Sequence, residues 1–340
     1  MNDPASQGLD IQAEIAAHGG WLNAARRLFP GAPEPFIDLS TGINPVSYPI
    51  PPLGTKVFTR LPEPESVKAL QAIAASAYHI SDAAMVVSAP GTQILIDLLP
   101  RLFPRTQISI LEPTYAEHRA AWCRAGAEVK SITQWNALGD AQNVILCNPN
   151  NPDGRRCRGE EIARLADRLA ERNGLLIVDE AFADFEETEL SAAPYLPKPN
   201  LVVLRSFGKS YGLAGLRLGF ALAAPDVASI IRDALGPWAV SGPAIEIGHA
   251  ALADAAWLCQ SSARLLLDVA RLDASLSRAG LRVCGGTKLF RLAESPDAAG
   301  IFDRLGRAGI LVRRFATQPH WLRFGIPEDG QWARLEGALS

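Results

Sequence analysis

Within residues 201–220, LVVLRSFGKSYGLAGLRLGF, a lysine (Lys209) has a serine (Ser206) three positions before it and an arginine (Arg217) eight positions after it. An amine that can form a Schiff base, with a hydroxyl and a guanidinium able to converge on an anion beside it, is the outline of a pyridoxal phosphate site. The hydroxyl, the guanidinium and the loop backbone would hold the phosphate. An isolated S-x-x-K is more often a solvated lysine in a Ser/Gly turn, so the reading depends on what else the chain brings to the same place.

Two upstream segments supply it. LLIVDEAF leaves Asp179 at the exit of an apolar strand, where an unpartnered carboxylate is costly to bury. NVILCNPNNPDG ends another apolar strand in a turn carrying Asn151. Taken singly, Asp179 caps the next segment and the turn is ordinary. Taken in order, successive strand ends present Asn151, Asp179 and Lys209, a partner for a ring hydroxyl, a partner for a pyridine nitrogen and an amine around one flat ring. Gly91 and Thr92, at the start of a helix, form an anion seat, because the first N–H groups of a helix are unpaired and its dipole is positive there.

Stepping these residues into place requires strands whose carboxyl ends lie side by side. From residue 107 to 179 the chain alternates short apolar strands (QISIL, EVKSI, NVILC, LLIVD) with helices, and LVVLR and GFALAA extend the series. That alternation predicts an α/β fold with a mostly parallel sheet and helices on both faces. A helix is expected from Ser66 to about Tyr78, another after Gly91, and a long helical stretch over 243–279. Short strands and one helix over 297–308 then make a smaller α+β domain. The proline-dense stretch 45–64 reads as a crossover, giving an amino-terminal arm over 1–44, a large domain over 45–240 and a small domain over 241–340. Residues 11–29 carry a helical pattern interrupted at His18-Gly19-Gly20.

With 340 residues, 48% hydrophobic and 20% charged, the chain can bury a large core. A formal net charge of −3 offers no basic surface for nucleic acid or an anionic membrane, and no apolar run reaches membrane-spanning length. The five scattered cysteines lack metal-ligand spacing, so no metal site is expected and reduced thiols in the cytoplasm fit best.

The motifs NPNNPDG, IVDEAF, SFGKSYGLAGLRLGF, GILVRR and HWLRFGIP together resemble the fold-type-I pyridoxal phosphate enzymes. Within them the likeness is to the branch holding histidinol-phosphate aminotransferases and the threonine-phosphate decarboxylases of cobalamin biosynthesis. The resemblance implies a seven-stranded-type sheet and pyridoxal 5'-phosphate on Lys209, with Asp179 at the pyridine nitrogen and Asn151 at the ring hydroxyl. It also implies Tyr115 stacked on the ring, and Gly91, Thr92, Ser206 and Arg217 on the phosphate. Arg323 matches the arginine that takes the substrate carboxylate, and Arg313 a second substrate contact; His18, Gly42 and Asn44 are further substrate-side candidates.

The opening HGGWLNAARRLFPGAPEPFIDLSTGINP resembles the decarboxylases. It implies conversion of L-threonine O-3-phosphate to (R)-1-aminopropan-2-yl phosphate and carbon dioxide by a homodimer. The alternatives are a histidinol-phosphate-type aminotransferase and, in a different class, a non-catalytic effector-sensing domain. No basic helix-turn-helix segment supports the last of these. Three positions depart from the pattern: Phe182 stands where tyrosine is usual, Leu61 where a tyrosine reaches the neighbouring subunit, and Gly208 where a serine or threonine would add a phosphate donor.

Overall fold

The computed structural model describes residues 18–340, which divide into two compact units: one of the chain up to Val46 with Gln260–Ser340, the other Ser47–Cys259. The strands are β1 (Ile37–Leu39), β2 (Val86–Ala89), β3 (Gln107–Leu111), β4 (Glu128–Ile132), β5 (Val144–Cys147), β6 (Leu176–Asp179), β7 (Leu201–Ser206), β8 (Gly219–Ala223), β9 (Arg282–Thr287), β10 (Phe290–Glu294), β11 (Ile310–Arg314) and β12 (Trp321–Gly325).

In the larger unit a seven-stranded sheet has the order β2-β8-β7-β6-β5-β3-β4. β8 is antiparallel to both of its neighbours, and the other pairings are parallel. The apolar runs read as strands are buried on both faces. Leu201 and Val203 enter one hydrophobic cluster, and Val202 and Leu204 enter another on the opposite face. This is why these segments are continuously apolar rather than alternating. β2, which sequence periodicity did not single out, closes one edge of the sheet.

The larger unit runs to Cys259, beyond the boundary expected at 240, because the helix Gly242–Ala253 packs against the helix Pro64–Ala77. The helical stretch over 243–279 is two helices, Gly242–Ala253 and Ala255–Arg278. The break falls at Asp254, whose carboxylate accepts the Trp257 N–H at 2.9 Å and so starts the second helix. In the proline-dense stretch a single turn, Lys56–Thr59, forms. The segment before it is pinned by the Tyr48 N–H to the Tyr211 carbonyl at 2.8 Å.

The smaller unit carries a five-stranded sheet in the order β1-β11-β12-β10-β9, with β1 parallel to β11 and the remaining pairs antiparallel. Its helix Ala298–Arg307 lies beside β11. Of the helical pattern expected over 11–29, the helix is Leu22–Leu28, the described residues 18–21 and 29 are not helical, and residues 11–17 lie outside the described residues.

Candidate active site

Parallel register aligns Cys147 of β5, Asp179 of β6 and Leu204 of β7, and β7 continues to Ser206. Ser206 is then opposite Gly219 of β8, which is itself opposite Ala89 of β2. The carboxyl edge of the sheet thus gathers the segments after Ala89, Cys147, Asp179 and Ser206, the place where open α/β sheets bind ligands.

Lys209 lies in a one-turn helix, Phe207–Ser210, rather than an open loop. The turn is set by its aromatic flanks. Phe207 stacks on Tyr211 with centroids 4.4 Å apart, and Tyr211 stacks on Trp257 at 5.6 Å. Lys209 is half-buried, with Nζ 5.7 Å from the centroid of the Phe182 ring. The ring that replaces the usual phenol therefore faces the amine itself. Gly208 has a steric reason: a Cβ there would stand 2.7 Å from the Ala214 Cα, so a larger residue would displace the following turn.

The residues read as an anion seat lie close together. Gly91 precedes the helix Thr92–Leu102 with φ +86°, a left-handed conformation that favours glycine. The Arg217 guanidinium lies against it, since a Cβ on Gly91 would come within 2.5 Å of Nη2. Arg217 itself has φ +55° and donates from Nη1 to the Ala214 carbonyl at 3.2 Å. A Cβ on Gly219 would come 2.8 Å from the Thr92 nitrogen, so β8 and the helix start approach closely only because residue 219 lacks a side chain. Gly91, Thr92, Arg217 and the end of β7 at Ser206 are thus neighbours.

Asp179 is buried and accepts from the Ala181 N–H at 3.0 Å, while its other oxygen is 2.8 Å from His118 Nε2. Burial alone would lower the His118 pKa. Hydrogen bonds to Asp179 and Cys147, with their charge, more than reverse this and raise it from 6.5 to about 10. Sequence reasoning missed His118; the signal was its position one helical turn after Tyr115 in EPTYAEH. The two rings meet edge to face with centroids 6.1 Å apart, and the Tyr115 hydroxyl lies 3.3 Å from Gln93 Oε1. Because the folded pKa is raised, the stabilisation from charged His118 is complete below about pH 6.5 and lost as pH rises towards about 10. The melting-temperature gap between the parent protein and His118→Asn should therefore shrink over that interval. A gap that does not vary with pH would show that His118 is neutral beside Asp179.

Of the asparagines in the NPNNPDG turn, two are committed to structure. Asn148 donates to the Cys157 and Leu190 carbonyls at 3.0 and 2.6 Å. Asn150 donates to the Pro113 carbonyl and Asp153 at 2.8 and 2.7 Å. Asn151 is half-buried at the same strand exit.

A buried ion network ties the Asp179 loop to the Lys209 strand. Arg205 bonds Glu180 at 2.8 Å and Asp184 at 2.6 Å and lies 4.4 Å over the Tyr78 ring. Burial and the neighbouring charges act oppositely on Arg205, and its carboxylate partners raise its pKa on balance. Replacing one partner would strand a buried charge, which makes the pair a rigid spacer rather than a ligand.

In the smaller unit Arg323 is buried, donates to the Ser40 carbonyl at 2.7 Å and lies 5.0 Å from the Phe290 ring centroid. Arg313 is its cross-strand partner in the β11–β12 register. Directly opposed residues share a face, so both guanidinium groups belong to the same side of the sheet. Ser40 also fixes the His-Gly-Gly segment: its Oγ accepts the Gly20 N–H at 2.7 Å, and a Cβ on Gly19 would come 2.5 Å from its carbonyl oxygen. His18 is half-buried and Gly42 buried in the same unit. Asn44 donates to Ser261 Oγ at 2.8 Å and accepts from Arg264 and the Val46 N–H at 2.6 and 3.1 Å. Those bonds make it a clamp on its loop.

The donor set of the larger unit fits pyridoxal 5'-phosphate. It has a glycine-lined cradle against a guanidinium, a buried carboxylate and an amine at adjoining strand ends. The model of the family described as aminotransferase class I and II matches residues 54–337. A threonine-phosphate decarboxylase of Sinorhizobium sp is 42% identical over 95% of this chain and 97% of its own length. One of Pseudomonas aeruginosa is 40% identical over 95% and 96%. The crystal structure of histidinol-phosphate aminotransferase from Sinorhizobium meliloti in complex with pyridoxal 5'-phosphate superposes with a TM-score of 0.79, at 22% identity, over 93% of each chain. The chain belongs to the aminotransferase class I and II family, whose cofactor is pyridoxal 5'-phosphate.

Proposed function

We propose that this protein is a threonine-phosphate decarboxylase, releasing carbon dioxide from L-threonine O-3-phosphate. The observation that carries the reading is the similarity at 40–42% identity, over nearly the whole length, to proteins of that name. When bound, pyridoxal 5'-phosphate supplies an electron sink for the bond that breaks at the α-carbon. Gly91, Thr92, Ser206 and Arg217 hold its phosphate, Asn151 its ring hydroxyl and Tyr115 its face. Asp179, oriented by His118, keeps a proton on the ring nitrogen. Lys209 provides the amine and then the proton that replaces the departing carboxylate on the α-carbon. Arg323 binds the substrate carboxylate and Arg313 its phosphate, so binding energy remote from the reacting bond fixes which bond is broken. His18 and Gly42 contribute to the same substrate-binding segment, and Asn44 holds it.

Carbon dioxide should appear from L-threonine O-3-phosphate with no keto acid added. In parallel, histidinol phosphate with 2-oxoglutarate should yield little glutamate. Rapid glutamate formation, with no gas from threonine phosphate, would establish the aminotransferase reading instead.

A homodimer accounts for the apolar side chains that the larger unit leaves exposed around its proline-dense connector. Ile50, Phe58 and Leu61 are each more than half exposed, at 58, 65 and 63%. Light scattering should give about twice 36.4 kDa, and a fully active monomer would refute the pairing. No helix among the described residues is long and apolar enough to cross a membrane. The five free cysteines fit the reducing cytoplasm, and cell fractionation tests that placement.

A further inference from the structure

A cavity of about 540 Å³ lies within the larger unit beside β2, the edge strand of the sheet, and none of its lining residues belongs to the cofactor site. Its volume is that of a small-molecule site and many times that of one water. Val67, Val87, Leu235 and Val240 form apolar walls. Trp238, at φ +59° and 57% exposed, stands at the mouth. Two polar side chains line this apolar space although they are almost wholly buried, Gln71 at 9% and Ser88 at 6% exposed. Neither side chain has a hydrogen-bond partner among the described residues. Their polar atoms are not among the fully buried unpaired ones, so they stay open to the cavity, and one molecule there could replace water on both.

The charge around the cavity is one-sided. Lys68 and Arg232 line it, and no acidic side chain does. Arg232 is held in place by donating to the Ala84 and Val86 carbonyls at 3.0 and 3.3 Å. Its guanidinium is fixed before any ligand arrives, which lowers the entropy lost on binding.

We propose that this cavity binds a small amphipathic organic anion. An apolar, preferably aromatic body lies among the valines and Trp238, a neutral donor or acceptor group on that body meets Gln71 and Ser88, and an acid group pairs with Arg232 and Lys68.

The probe is 1-anilinonaphthalene-8-sulfonate, which combines aromatic rings, an N–H and a sulfonate. Titrated into the holoenzyme, it should give saturable fluorescence at one site per chain, with energy transfer from tryptophan. Val67→Trp, which fills the cavity, should weaken binding at least tenfold. Lys68→Glu, at an exposed position where folding is not at stake, should weaken it several-fold. Both variants should retain the parent's rate of carbon dioxide release, which separates this site from the catalytic one. The proposal is overturned if the holoenzyme shows no saturable binding, as when a second copy covers the cavity. It is equally overturned if Lys68→Glu binds the probe as the parent does.

Discussion

Replacing Lys209 by alanine is expected to lower carbon dioxide release from L-threonine O-3-phosphate about 10⁴-fold or more, since the change removes both the nucleophilic amine and the general acid. The amine sits at a strand exit, half-buried, 5.7 Å from the Phe182 ring centroid, on a turn locked by the Phe207–Tyr211–Trp257 stack. Alanine leaves that stack untouched, so the loss would be chemical rather than structural. Borohydride reduction of the parent enzyme followed by peptide mapping should place the pyridoxyl group on Lys209. An adduct on Lys198 or on any other lysine would refute the assignment.

The second large effect is expected at Arg323. Removing one side of a buried, charge-paired contact typically costs about 2–5 kcal/mol, so Arg323→Ala should raise KM for L-threonine O-3-phosphate about 30- to 4,000-fold or abolish turnover. The absorbance of the bound cofactor should be unchanged. Arg323 also anchors the Ser40 carbonyl, which in turn holds the His-Gly-Gly segment. Arg323→Lys keeps a charge but loses the planar fork, and should recover only part of the affinity. If the alanine variant keeps the parent's KM and differs only in melting temperature, the arginine serves the fold and not the substrate.

The two units differ in how openly their chemistry is written in the chain. Around the cofactor seat, each functional residue follows a segment whose periodicity is unmistakable: apolar strand, abrupt small-residue turn, helix. That sequence order fixed Asp179 and Lys209 at the carboxyl edge of one sheet, because parallel strands buried on both faces can be continuously apolar only if helices cover them, whereas Gly91 and Thr92 were legible only as a helix start and the fold supplied β2 before them. The turn that carries Asn151 was legible for the same reason, and the structure adds that Asn148 and Asn150 in that turn donate to backbone carbonyls.

Tertiary structure alone decided three things. His118 joins Asp179 across a separation of 61 residues, and a histidine on a helix carries no mark of the carboxylate it will meet. Arg205 reads as one charged residue in an apolar strand; only the packed fold shows the Glu180 and Asp184 carboxylates that make its burial tolerable. Gly208 looked like a missing phosphate donor until the Ala214 backbone was found 2.7 Å from where its Cβ would stand. Sequence by itself determined the order of strand ends and the residue types delivered there, since those follow from local periodicity. Which buried charges pair, and where no side chain fits, depends on contacts between segments far apart in the chain, and local pattern holds no information about those.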